Sequence, residues 1–105
     1  MSEAYDILKK DRNSDDLVLL DVRSPREYNS GHLSGSRQIN FIDRNFKDQL
    51  AELAKDKKYI VYCQSGGRSE VTVKYMKDMG FREAHNIEGG LSEWQSENLP
   101  LETGK

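Results

Sequence analysis

At 105 residues, with 35% apolar and 32% charged, the chain suits one domain over 1–105 with a small core and a strongly hydrated surface. Sixteen basic residues against eighteen acidic ones leave a net charge of −2, without the basic face that nucleic-acid binding needs. The longest unbroken apolar run, Tyr59–Cys63, falls far short of the ~20 residues of a membrane span.

Residues 3–10 read as a short amphipathic helix, with Tyr5 and Leu8 at i, i+3. The same segment carries acids and lacks the basic patch and apolar stretch of a secretory signal, so a cytoplasmic location is expected. Asp11–Asp16 is polar and turn-like. Leu17–Leu20, ending in Asp21, has the pattern of a strand buried on both faces. Ser24, Pro25 and Glu27 then spell a helix start: a capping serine, a proline at the first helical position and the glutamate of a capping box. Asn29-Ser30-Gly31 breaks that helix, Gly31–Gly35 is a loop, and Arg37–Asn40 is a short strand. Phe46, Leu50, Leu53 and Ala54 fall on one helical face, ended by Lys55–Lys58, a solvated helix end.

Tyr59-Ile60-Val61-Tyr62, β-branched and aromatic, is the strongest strand in the chain. Cys63 follows it directly, and Gln64–Gly67 is a turn. Arg68–Met79 is expected to be a helix whose Val71, Tyr75 and Met79 repeat every four residues, flanked by Thr72 and Met76, with Gly80 closing it. Ala84–Ile87 is a fourth short strand. Gly89-Gly90 leads to a last helix opened by Leu91 and Trp94, whose side chains pack the core. Alternating strands and helices specify an α/β domain with a mostly parallel sheet. In such a sheet, ligands bind beyond the carboxyl ends of the strands.

Cys63 stands at such a junction. Gly66 and Gly67 permit a tight turn that curls backbone N–H groups toward one point. The helix that follows adds unpaired N–H groups and a positive dipole end. A thiolate there is stabilised, so its pKa falls. Arg68 either aims into this cradle or anchors the loop from behind. With no adjacent histidine or carboxylate, the design suits attack by a ready thiolate without strong proton transfer. A lone cysteine at a strand end equally fits a plain core residue, and local physics leaves both readings open. The single cysteine and two histidines are not at metal-ligand spacing, so neither disulfide nor metal is expected.

Four motifs in register resemble the rhodanese family of sulfurtransferases. Leu17-Val18-Leu19-Leu20-Asp21-Val22-Arg23 resembles its strand ending in Asp-x-Arg. Glu27-Tyr28 and Gly31-His32 resemble the continuation of that motif. Tyr62-Cys63-Gln64-Ser65-Gly66-Gly67-Arg68-Ser69 resembles its catalytic loop, and Gly80-Phe81 with Asn86-Ile87-Glu88-Gly89-Gly90-Leu91-x-x-Trp94 its carboxyl-terminal signature. The resemblance implies an α/β fold with a central parallel sheet of about five strands and helices on both faces. It implies that Cys63 takes a sulfane sulfur from thiosulfate or a persulfide donor, becomes a persulfide, and passes the sulfur to a thiol or cyanide acceptor, which includes a sulfur-accepting protein. Gln64, Ser65, Gly66, Gly67, Arg68 and Ser69 would bind the donor and the transferred sulfur. No cofactor is implied. Asp21, Arg23, Glu27 and His32 read as structural support, since buried charges need partners and a loop histidine more often serves the backbone.

Cysteine-based phosphatases and arsenate reductases that resemble this loop place arginine six residues after cysteine, where here Arg68 is five after Cys63. The smaller cradle suits a sulfur atom better than a phosphoryl group. The other alternative is a non-catalytic binding or redox-sensing module of the same fold. The chain departs from the family at Leu33-Ser34-Gly35-Ser36, where Ile-Pro-Gly-Ala is common.

Overall fold

β1 (Leu17–Asp21) and β3 (Lys58–Tyr62) lie side by side at the centre of a four-stranded sheet, flanked by β2 (Arg37–Gln38) and β4 (Glu83–Asn86) in the order β2-β1-β3-β4. Every pairing is parallel, with Leu19 opposite Ile60 and Leu20 opposite both Arg37 and Val61. The computed structural model describes residues 16–33, 35–87 and 89–92. The expected helix at 3–10 lies outside them; of the expected last helix, residues 90–92 are described and helical, and the part that carries Trp94 lies outside. Among the described residues the sheet has four strands, where about five were expected. β2 is short, and the Ile39 N–H just after it donates to the Asp21 carbonyl at 2.9 Å, extending its pairing with β1.

The two central strands alternate their side chains between the faces of the sheet. Leu20, Val22, Tyr59 and Val61 join one cluster with Phe46, Leu50, Val73 and Met76. Those last four come from α2 (Phe46–Ala51) and α3 (Gly67–Asp78). Leu19, Ile60 and Tyr62 face the opposite way, toward Leu33, Ile87 and Leu91. Of the three described helices, α2 and α3 therefore cover one face. The other is covered by the loop after α1 (Pro25–Ser30) and by the helical residues 90–92, since α1 itself buries no residue.

Two expected helices differ from their sequence pattern. α2 stops at Ala51, and Leu53 enters the core from a tight turn, its N–H bonded to the Leu50 carbonyl. α3 buries Ser69, Thr72, Val73 and Met76, whereas Val71 is 36% exposed and Tyr75 and Met79 pack only at the margin. The polar members of the buried face are satisfied locally. Thr72 donates to the Arg68 carbonyl and Ser69 to that of Gly66, so burying them leaves no orphaned hydroxyl. The helix ends as the sequence indicates: Gly80 (φ 91) supports bonds from its own N–H to Lys77 and from Phe81 N–H to Met76, a Schellman closure.

Candidate active site

β3 delivers Cys63 to the carboxyl end of the sheet, where the residue is 1% exposed. The next residues turn back over the sulfur. Gly66 adopts a left-handed conformation (φ 103, ψ −12) and opens α3 with no side-chain cap. A side chain there would crowd the Gly89 backbone nitrogen at 3.2 Å as well as straining φ. The turn places the Gly66 N–H 3.0 Å from Cys63 Sγ, and the Ser69 hydroxyl reaches the same atom at 3.5 Å. Burial pushes the Cys63 thiol up. The Ser69 hydroxyl and the backbone N–H groups of Ser69, Gly66 and Ser65 outweigh that effect, and the thiol lies below its ordinary value.

The Ser69 hydroxyl has one proton and three acceptors within reach: Cys63 Sγ, the Gly66 carbonyl and Asn86 Oδ1. A charged sulfur competes best for it, because hydrogen bonds to ions are the stronger ones. Asn86 also donates to the Gly66 carbonyl at 3.4 Å, so one β4 side chain grips the turn and its serine together. Ser65, Gly66 and Gly67 border a cavity of about 260 Å³ with Glu70, Asn86 and Gly89.

The loop is held from below by the segment after β4. Leu91 N–H donates to the Cys63 carbonyl at 2.8 Å, and Ser92 N–H to that of Gln64 at 2.9 Å. Gly90 (φ 60) makes this approach feasible, since a Cβ would lie 2.8 Å from the Gln64 carbonyl and closer still to that of Cys63. Asn86, Gly90 and Ser92 carry no assigned role in the sequence reading. Asn86 and Gly90 stand in the carboxyl-terminal signature, and asparagine is depleted in strands, a second signal for Asn86; nothing in the sequence marks Ser92.

Asp21 and Arg23 lie beneath the loop as a buried ion pair with Nη2 to Oδ2 at 2.8 Å. Arg23 Nη2 also donates to the Gly31 carbonyl at 2.6 Å and Nη1 to Gln64 Oε1 at 3.3 Å. The Gln64 amide donates in turn to Ser92, so the Gln64 side chain ties the loop to its frame. His32 is buried, stacked on Tyr28 with ring centroids 3.7 Å apart. Its Nδ1 lies 2.8 Å from the Tyr28 carbonyl, which assigns the proton to Nδ1.

Glu27 completes the expected capping box on Ser24. It also receives both arms of Arg68, Nη1 to Oε1 and Nη2 to Oε2, each at 3.0 Å. Arg68 and these cap bonds hold the Glu27 carboxyl down to about 2. Their stabilisation is complete above the ordinary carboxylate range and is lost as pH falls through about 2. The pair is about one-third exposed, which limits its contribution to stability.

The chain matches the Rhodanese-like domain family over residues 4–97. It is 30% identical to the thiosulfate sulfurtransferase GlpE of Ectopseudomonas mendocina, covering 88% of this chain and 82% of that protein. A sulfurtransferase of Allochromatium vinosum is 28% identical, covering 85% and 81%. Among solved structures, a rhodanese-related protein of Thermoplasma volcanium superposes with a TM-score of 0.81 at 29% identity, covering 94% of this chain and 93% of that one.

Proposed function

The chain belongs to the Rhodanese-like domain family, and from that premise we propose that it is a single-domain sulfurtransferase that carries a sulfane sulfur on Cys63. The observation that bears most weight is the Cys63 sulfur at the foot of a turn whose N–H and hydroxyl donors converge on it. Relatives named for sulfurtransfer support the same reading. The Cys63 thiolate attacks the outer sulfur of a donor. With thiosulfate the S–S bond breaks, sulfite departs with the bonding pair, and Cys63 becomes a persulfide anion. Cyanide or a thiolate then attacks the terminal sulfur and restores the Cys63 thiolate, leaving thiocyanate or a new persulfide. No proton moves in either step when the nucleophile is already ionised, which suits a sulfur whose hydrogen-bond partners, Gly66 and Ser69, are donors and not bases.

Gln64 through Arg68 would hold the transferred sulfur with their backbone, and Ser69 would steady its charge. Asp21 and Arg23 would keep the loop in place through Gly31 and Gln64, and His32 would fix the turn after α1. Small sulfur donors with thiol or cyanide acceptors are the partners this chemistry takes, and a cytoplasmic setting would supply such thiols. No described helix is long and apolar enough to cross a membrane.

The test is the intact mass of the protein after exposure to thiosulfate and, separately, to a polysulfide. A gain of one sulfur atom, reversed by reductant, supports the reading. No gain with either donor refutes it. The lowered Cys63 thiol predicts a further result. Alkylation of Cys63 by iodoacetamide will retain its full rate below the ~8.5 of an ordinary cysteine and decline only as pH falls further. A rate profile centred on the ordinary value would show an inactive thiol.

A further inference from the structure

The catalytic loop contains one charged side chain, Arg68, and the structure hands that charge to Glu27. Both guanidinium arms are engaged at 3.0 Å in a bidentate pair. Glu27 is not free to swing aside, because Oε1 also accepts from the Ser24 N–H at 3.0 Å and the Ser24 hydroxyl at 3.1 Å. Arg68 nevertheless stays within electrostatic reach of the reacting sulfur: after Glu27, it is Cys63 that favours its charged form. Two further charged groups near the loop supply no unpaired cation. Arg23 is neutralised by Asp21, and Glu70 borders the cavity beside Ser65, Gly66 and Gly67. Arg68 and Glu27 cancel as a pair, and Glu70 adds a carboxylate at the cavity.

Thiosulfate is a dianion and releases a dianion, sulfite. A persulfide of a small thiol brings at most one charge on the reacting sulfurs. Its transfer is balanced as Cys63 thiolate plus R–S–SH giving the Cys63 persulfide plus the thiolate of R. Resting on the sulfurtransferase reading above, we propose that Glu27 is a specificity-determining residue: by holding Arg68 it withdraws the loop's cation from the donor site and favours low-charge persulfide donors over thiosulfate.

Glu27→Gln tests this. Glutamine keeps an acceptor for the Ser24 N–H, so the α1 cap survives, while Arg68 loses its counter-charge. The measured quantity is kcat/KM for thiosulfate divided by kcat/KM for the persulfide of 2-mercaptoethanol, which carries no charge beyond its sulfur, with cyanide as acceptor. That ratio is expected to rise about tenfold, the scale of one uncompensated charge facing a dianion near a surface. The thiosulfate rate will also acquire a steeper fall with ionic strength. Arg68→Gln in the Glu27→Gln background should return the ratio to within about threefold of the parent. A purely structural role for Glu27 would lower both donors together and leave the ratio unmoved. A ratio that stays within twofold, falls, or remains raised in the double variant overturns the proposal. Failure of the parent protein to load sulfur from either donor is a different result, and it overturns the sulfurtransferase reading on which this one rests.

Discussion

Cys63→Ser will reduce sulfur transfer from thiosulfate or persulfide to cyanide by more than about 10³-fold, the scale on which loss of a nucleophile closes a covalent route. The domain will stay folded. A serine hydroxyl occupies nearly the same space at the end of β3 and can accept from the Gly66 N–H that now bonds the sulfur. The stability change should remain below about 2 kcal/mol. The check is a steady-state thiocyanate assay beside thermal unfolding of the two proteins. A folded serine variant that keeps a tenth of the parent rate would mean that sulfur passes without Cys63. A variant that loses activity only because it unfolds would be exposed by the melting curve.

Asp21→Ala will lower stability by about 3–5 kcal/mol, the loss expected when one partner of a buried ion pair is removed. Arg23 is 2% exposed and Asp21 fully buried. The aspartate accepts from Arg23 Nε, Nη2 and the Arg23 backbone N–H. Without it, a charged guanidinium remains in the interior with the Gly31 carbonyl and Gln64 as its other partners. Domains of this size are typically stable by about 5–15 kcal/mol, so the change takes a large share. Urea unfolding should show the midpoint falling at unchanged slope. Asp21→Asn, which preserves shape and some hydrogen bonds, should cost less. A loss under about 1 kcal/mol for the alanine variant would show that Arg23 finds water or another partner once the pair is broken.

The motifs made most of the site legible before the fold was known. Cys63, the glycine turn and the helix start behind it follow from a buried strand running into Gly66-Gly67, because local chain geometry alone brings those groups together. The capping box at Ser24 and Glu27 and the closure at Gly80 were equally readable, being local devices whose partners lie within a few residues. The buried face of α3 was not. Apolar spacing favoured Val71, Tyr75 and Met79 with Thr72 and Met76 at their flank, but the buried face is Ser69, Thr72, Val73 and Met76. A helix with two buried hydroxyls carries too weak an apolar stripe to reveal its own orientation. The end of α2 was misplaced for a related reason: Leu53 is a core residue, and burial alone does not distinguish a helix from the turn that follows it.

By itself, then, the sequence determined the α/β alternation, the parallel core strands, the place of Cys63 at a strand end and the backbone cradle around it, since each depends on neighbours in the chain. Tertiary structure decided where the charges went. Arg68 finds Glu27 across 41 positions, and Gln64 is gripped by Arg23 and Ser92 from opposite sides. Asn86 reaches the turn after Cys63 only because β4 pairs with β3. Gly90 is required only because its segment docks against the Cys63 carbonyl. A charged or polar side chain takes whichever partner packing brings within about 3 Å, and that choice is made by the sheet order, not by spacing along the chain.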